Sequence, residues 1–385
     1  MAAGVQAPAI YRLFGDEDGL LEAVAESVMF AVLGATRTSR LAEPSSKKEG
    51  PLMSASTVLF IGGTGIISSA AAARAVELGH DLTVLNRGSS STRPTPPGVE
   101  VLTGDVSDPS SIRRALGDRS FDVVVDFVAF TPDQVQADID LFTGRAGQYV
   151  FISSASAYQK PVAALPIRES SPLRNPFWQY SRDKIACEDL LVGAYRESGF
   201  PVTIVRPSHT YDRTSIPVTG GWTVVDRMRR GLEVVVPGDG TSLWTLTHHA
   251  DFARAFVGLL GLPAAVGDVF HITSDEALPW DQIYTSLAAA AGVDDPTLVH
   301  VASESVAVVE PEWGPSLLGD KAHSVVFDNA KVKAFVPGWQ ATTSWATGAR
   351  EVVEWYDAEA SRREVDPAAE AAFERLLTGA RAFGA

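Results

Sequence analysis

VLFIGGTGIIS, residues 58–68, decides how this chain is read. Four apolar residues, Val58 to Ile61, have the character of a strand buried on both faces, and a helical pattern opens at Ile66 after the glycine turn. Gly62, Gly65 and Ser68 occupy the three positions of a Gly-x-x-Gly-x-x-Gly spacing. Glycine at the first two lets backbone approach a pyrophosphate, whose charge then rests on the helix N-terminus. A glycine triplet alone is weak evidence; a strand before it and a helix after it supply the required context. The stretch predicts a dinucleotide site, with Thr64, Ile66 and Ile67 beside the glycines. Ser68 departs from the pattern and implies looser packing of helix on strand.

Working outward, the same alternation continues. VLFI (58–61), LTVL (82–85), VEVL (99–102), VVVDF (123–127), YVFI (149–152) and VTIV (202–205) read as strands. Ile66–Leu78, Pro109–Leu116, Pro132–Phe142 and Trp178–Ser198 read as helices, the second opened by Asp108 as N-cap with Pro109 at its first position. This order predicts an α/β fold, a doubly wound parallel sheet. After Arg206 the rhythm breaks into loops rich in Trp, Pro and Gly, with helices near 222–230, 249–260 and 280–291. The expected organisation is a helical extension and linker at 1–52, a dinucleotide-binding domain at 53–206, a smaller substrate lobe at 207–357 partly interleaved with the sheet, and a helical tail at 358–385. The tail DPAAEAAFERLLTGARAF is amphipathic, and the sequence names no partner for it.

The chain has 385 residues, 45% hydrophobic, with 32 Gly and 23 Pro, a globular composition that excludes disorder and low complexity. Asp plus Glu number 47 against 32 Lys plus Arg, and the net charge of −15 repels polyanions, so no nucleic acid partner is expected. One cysteine, Cys187, forms no internal disulfide, and no cysteine–histidine cluster suggests a metal. No apolar run reaches the ~20 residues of a membrane span, and the N-terminus lacks a signal peptide's pattern, so a cytoplasmic protein is expected. AGVQAPAIYRLFGDEDGLLEAVAE, near the N-terminus, resembles part of the DNA-binding domain of TetR-type repressors. Without the helices that brace such a recognition helix, a fusion or start-site remnant is expected, joined by the linker EPSSKKEG (43–50).

The second strand ends in Asn86 and Arg87, where an NAD-selecting site usually carries Asp. A neutral amide beside a guanidinium suits a 2′-phosphate, so NADP is favoured over NAD. Asp105 stands where adenine is usually met, or else caps its own loop; Val106, Val128 and Pro207 complete the expected cofactor set. Tyr180 and Lys184 are four apart near a helix start, which puts them on one face. Upstream, YVFISSASAY brings Ser153, Ser154 and Ser156 to the carboxyl end of the fifth strand, where ligands of such sheets bind.

Glycine turn, serine strand and Tyr-x-x-x-Lys helix in this order, with the later GDVFHITSDEALPWDQI, resemble the extended short-chain dehydrogenase/reductase superfamily, the NAD-dependent epimerase/dehydratase group, over residues 57–357. The resemblance implies that Tyr180 is the general acid/base, its pKa lowered by the ammonium of Lys184 and the cationic nicotinamide, and that Lys184 also holds the nicotinamide ribose. Ser154 would hydrogen-bond the reacting oxygen, with Ser156 second in rank. A homodimer built through the Trp178–Ser198 helix is also implied.

Two departures bear on the substrate. Where nucleotide-sugar epimerases read approximately Arg-x-x-Asn-x-Tyr-Gly-Pro, this chain has RPSHTYDR: Arg206 and Tyr211 match, His209 replaces Asn, and Asp212 replaces Gly. In GTSLWTLTHHAD, Trp244 stands where a phosphate-pairing arginine is usual, exchanging a guanidinium for a stacking surface. A diphosphate substrate is thereby in doubt, and Arg213, Arg227, Arg229 or Arg230 are the candidates to supply charge instead. His248 matches a histidine of structural role. His209, Tyr211 and Trp244 join Ser154, Ser156 and Tyr180 as expected substrate contacts. The expected function is an NAD(P)-dependent epimerase or oxidoreductase acting on a secondary alcohol or ketone of a small sugar-like molecule. The alternatives are an NADPH-dependent ketoreductase or sugar dehydratase. A further one, a non-catalytic nucleotide-sensing or RNA-binding protein, follows from a resemblance of the Asn-Arg strand end, Trp244 and FDNAKVKAFVPG to a branch that includes chloroplast stem-loop RNA-binding proteins.

Overall fold

The computed structural model describes residues 55–88 and 92–382. The helical extension and linker expected at 1–52, with the TetR-like stretch, lie outside them.

Alternating burial builds the sheet. In β1 (Thr57–Ile61), Val58 and Phe60 pack on one face and Leu59 and Ile61 on the other, all fully buried. Around it run α1 (Ile66–Glu77), β2 (Asp81–Asn86), β3 (Glu100–Thr103), α2 (Pro109–Leu116), β4 (Phe121–Asp126), α3 (Pro132–Phe142), β5 (Ala146–Ile152), α4 (Gln179–Ser198) and β6 (Val202–Pro207). Helix α2 starts as read from sequence, with Asp108 accepting the Ser110 N–H at 3.0 Å. Helix α4 ends at Gly199 in the left-handed region, φ 72°, where a side chain would be strained.

Beyond β6 come β7 (His209–Tyr211), α5 (Trp222–Arg229), β8 (Val234–Pro237), β9 (Leu243–Trp244), β10 (Leu246–His248), α6 (His249–Val257), β11 (Val269–Ile272), β12 (Leu278–Pro279), α7 (Trp280–Ala290), β13 (Leu298–Val301), α8 (Ser303–Val309), α9 (Ala330–Phe335), α10 (Trp345–Asp357) and α11 (Pro367–Ala382). The main sheet has the order β11-β6-β5-β4-β1-β2-β3 with every pair parallel. Strand order therefore reverses between β1 and β4, and the crevice above that point is where such sheets bind ligands.

Two elements of the stretch 207–357, expected to be partly interleaved with the sheet, lie in the sheet layers. Strand β11 pairs with β6 as the seventh strand, and Phe252 and Phe256 of α6 pack with Ala71, Ala72 and Ala75 of α1. The buried run VFHI is too short for its period to assign it to a sheet; closure of the chain does so. The lobe has its own core of Trp222, Trp244, Trp280, Trp345 and neighbouring aliphatics. The tail finds its partner there: Phe373, Leu376 and Leu377 of α11 join this core, and Phe373 lies so near Gly220 that a Cβ there would meet its ring at 2.7 Å.

Candidate active site

The glycine turn opens a groove of about 900 Å³ along the carboxyl ends of β1, β2 and β4. Gly62 sits at φ 86°, and a Cβ on it would meet Val128 Cγ1 at 2.5 Å, so only glycine fits this close approach. Gly62, Thr64, Gly65, Ile66, Ile67, Asn86, Arg87, Asp105, Val106 and Val128, ten of the expected cofactor residues, line that one groove. A Cβ-free floor, a helix N-terminus and an elongated trench fit a dinucleotide. Ser68 corrects one expectation. It is buried, and its Oγ accepts the Gly65 N–H at 2.8 Å, so the third position caps α1 instead of loosening it. Asp105 lies at the groove wall and accepts from the Ser107 N–H at 2.9 Å through Oδ1, and the hydrogen bonds from Ser107 hold its carboxyl below the ordinary range. Asn86 likewise accepts the Gly88 N–H at 2.8 Å, while Arg87 is exposed at the groove.

A second cavity, of about 300 Å³, meets the groove at Thr210. Ser154, Ser156, Tyr180, Pro207, His209 and Trp244 line it, so Pro207, assigned to the cofactor, stands on this other side. A chain of hydroxyls runs along its wall: Ser181 donates to Ser156 Oγ at 2.7 Å, and Ser156 and Ser154 are 2.9 Å apart. Ser154 is next to Tyr180 on that wall and favours its ionised phenol. Asn175 braces the same corner by donating to the carbonyls of Ser156 and Gly319 at 2.9 and 2.6 Å. Ser181 and Asn175 have no motif to announce them.

Lys184, expected at the nicotinamide ribose, is anchored between two strand ends. Its ammonium is buried and donates to the carbonyls of Ala129 and Ile152, each at 2.7 Å, tying the ends of β4 and β5 together. Burial, opposed by Asp126, pushes it down to about 8. Burial, with the Asp320 carboxylate, raises the phenol of Tyr180, where a lowered value is expected, and Ser154 opposes that rise. The ammonium still lies 5.9 Å from the Tyr180 ring centre.

Beneath this site Asp126 accepts from the N–H groups of Val128 and Ala129 at 2.5 and 2.7 Å, and Tyr149 donates to Asp138 at 2.6 Å. Burial and the neighbouring Asp126 carboxylate push Asp138 well above its ordinary value of 3.8. The native state then holds a proton that the unfolded chain releases, so this contribution is present at low pH and is lost as pH rises above about 4. Asp138→Asn should flatten that fall, worth up to about 1.4 kcal/mol per pH unit. Melting temperatures of both proteins between pH 5 and 8 test it; parallel profiles would refute it.

The remaining substrate candidates separate. Trp244 is buried, stacked on Trp280 with centroids 5.4 Å apart, and donates to His209 Nδ1 at 3.1 Å. Burial, helped by the charge of Lys321, keeps His209 neutral, pushed down to about 3. Tyr211 lines neither cavity: it is a core residue between His248 and Trp345, on a spot where a Cβ at Gly348 would strike its hydroxyl. Asp212, the replacement for glycine, takes a fork from Arg93 at 2.6 and 3.1 Å, which pins the loop after β2 beside the groove. Arg227, Arg229 and Arg230 are committed to Glu370 and Glu374, Asp357, and Asp226, and so hold the lobe's helices together. His248 accepts from the Ala250 N–H as the N-cap of α6. Among the described residues no helix is long and apolar enough to cross a membrane, and no cluster of metal-ligating side chains gathers.

A family model described as the NAD dependent epimerase/dehydratase family matches residues 58–272. The chloroplast stem-loop binding protein of 41 kDa b from Arabidopsis thaliana is 27% identical over 63% of this chain and 65% of its own. The 2′-dehydrokanamycin reductase of Streptomyces kanamyceticus is 25% identical over 60% of this chain and 64% of its own. The chain thus spans just under two thirds of the length of these relatives. Among solved structures, a UDP-glucose 4-epimerase from Thermotoga maritima with UDP-glucose superposes with TM-score 0.62 at 20% identity, over 78% of this chain and 99% of that one. A dTDP-glucose 4,6-dehydratase from Bacillus anthracis in complex with NAD gives 0.63 at 17%, over 80% and 98%. These two carry the fold; the family model, covering more than half of the sequence and both cavities' strand ends, carries the kinship. The chain belongs to the NAD dependent epimerase/dehydratase family.

Proposed function

We propose that the protein is an NAD(P)-dependent epimerase or oxidoreductase that acts on a secondary alcohol or ketone of a small sugar-like substrate, with Tyr180 as general acid/base. The observation that carries this reading is the hydroxyl chain Ser181–Ser156–Ser154, which brings Ser154 and Tyr180 together on the wall of a cavity that shares Thr210 with the dinucleotide groove. When bound, the dinucleotide supplies the hydride acceptor or donor. Tyr180 Oη takes the proton of the substrate hydroxyl, or returns it to a carbonyl oxygen. Ser154 holds that oxygen at the phenol, and Ser156, fixed by Ser181, holds Ser154. Lys184 acts as a positioning residue that locks the strand ends carrying this machinery, its charge close beneath the phenol ring. The cavity lies at the lower end of the ~300–1,000 Å³ usual for ligand sites, which favours one sugar-sized unit over a whole nucleotide sugar.

Gly62, Gly65 and the start of α1 would hold the pyrophosphate, and the exposed Arg87 suits a 2′-phosphate. Purification without added nucleotide, denaturation, and mass spectrometry of what is released test the reading. Stoichiometric NAD or NADH is expected if the cofactor stays through each cycle, as in epimerisation or dehydration. An empty site that takes up NADPH before NADH makes the protein a reductase that exchanges cofactor and gives Arg87 its role. Failure to bind any of the four dinucleotides would overturn the proposal and leave the nucleic-acid reading suggested by the stem-loop binding relative, against which the charge of −15 argues.

A further inference from the structure

The usual arginine of the substrate side is Trp244 here, and three of the arginines that could have replaced it are paired elsewhere. A different segment supplies the charge. The sequence LLGDK, Leu317–Lys321, forms a single π-helical turn, a local distortion that often marks functional sites, and it delivers Asp320 and Lys321 to the wall of the small cavity. The turn is fixed from both sides. Asn175 donates to the Gly319 carbonyl at 2.6 Å, and Trp280 donates to the Lys321 carbonyl at 3.1 Å. Gly319 is needed there, because a Cβ would meet Trp178 Cβ at 2.7 Å.

Charge bookkeeping then singles out one group. Asp320 is paired, at 3.1 Å, with Lys160, which has no exposed surface. His209 on the same wall is neutral, and Lys321 contributes to keeping it so. Lys321 lies 5.9 Å from the centre of the Trp178 ring, and among the described residues only Asp320, already serving Lys160, is a charge acting on it. The cavity therefore presents one lysine without a counter-charge of its own, largely withdrawn from water so that burial lowers its pKa, where an anion that favours its charged form gains most from meeting it.

We propose that Lys321 is the anion-binding and specificity-determining residue of this cavity, and that the substrate carries a phosphate or a carboxylate that rests between Lys321 and Trp178. This rests on the proposed function for the identity of the cavity. It names the substrate class as an anionic sugar, a sugar phosphate or a sugar acid, in place of a neutral one.

The test titrates inorganic phosphate and, separately, acetate into NAD-saturated protein, so that the glycine turn is occupied, and reads the fluorescence of the tryptophans at the cavity. At least one anion is expected to bind saturably, and the preferred one tells phosphate from carboxylate. Lys321→Met should weaken that binding at least tenfold, Lys321→Arg should restore it, and Lys333→Met, a surface control, should leave it unchanged. Binding of neither anion, or equal binding in Lys321→Met and wild type, overturns the proposal. Dinucleotide affinity measured on the same samples separates the two claims: intact NAD binding with no anion site removes the substrate class and leaves the proposed function standing. If NAD itself fails to bind, the proposed function falls, and the Lys321→Met comparison without nucleotide still decides the anion site.

Discussion

Tyr180→Phe should lower kcat by about 10²–10⁴-fold, the usual contribution of a positioned general acid/base, while dinucleotide affinity stays within about twofold. The substitution removes only the hydroxyl. The ring keeps its place between Trp178 and Phe130, with centroids 4.8 and 6.4 Å away, and the residue lines the small cavity, not the groove. The pH profile offers an independent readout. Burial raises the phenol's pKa, so oxidation of an alcohol by the wild type should climb with pH along an alkaline limb. Ser154→Ala removes the hydroxyl that opposes this rise and should displace the limb to higher pH, whereas Tyr180→Phe should abolish it. The assay is NAD(P)H absorbance on the sugars that the wild type turns over. A Tyr180→Phe enzyme within about threefold of wild type would mean that another group moves the proton.

The largest loss of stability is expected at Glu188. Its carboxylate is buried between β5 and β6, accepts from Arg206 Nε and Nη2 at 2.9 and 2.5 Å, and also receives the Ser153 hydroxyl. Arg206 is itself buried, with its guanidinium 4.8 Å from the Tyr158 ring centre. Glu188→Ala would leave that guanidinium without its counter-charge in a dry interior, at a cost of about 3–5 kcal/mol. For a domain of this size that is a fall in melting temperature of roughly 10 °C. Glu188→Gln keeps an acceptor and should lose less. The double change Glu188→Leu with Arg206→Met removes both charges and should recover much of the loss, since the pair's desolvation cost disappears with it. Thermal melts of the three variants test this; a loss below about 1 kcal/mol in Glu188→Ala would show that the guanidinium finds another partner.

Much of this protein was legible along the chain because the signals are local. Short continuous apolar strands, Asp108 and Pro109 at a helix start, and the glycine turn each depend on a window of a few residues, where backbone geometry and side-chain chemistry act directly. The Tyr180–Lys184 pair and the serines of β5 belong to the same class, and Tyr180, Ser154 and Ser156 meet in one cavity. What the sequence did not reveal depends on contacts closed over long loops. Arg93 reaches Asp212 across 119 residues, and Asn175 reaches Gly319 across 144. No periodicity announces either one. The same holds for VFHI, which only pairing with β6 makes the seventh strand, and for Lys184, whose spacing from Tyr180 is local but whose partners, Ala129 and Ile152, come from other strands. Tyr211 matches a motif and yet is core, because Gly348 and Trp345 of a distant helix leave it that space. Sequence by itself therefore determined six strands of the sheet, the glycine turn between strand and helix and the residue types of the proposed chemistry. Tertiary structure alone decided which charges remain free to meet a substrate, since a charge is neutralised by whatever the folded chain brings beside it.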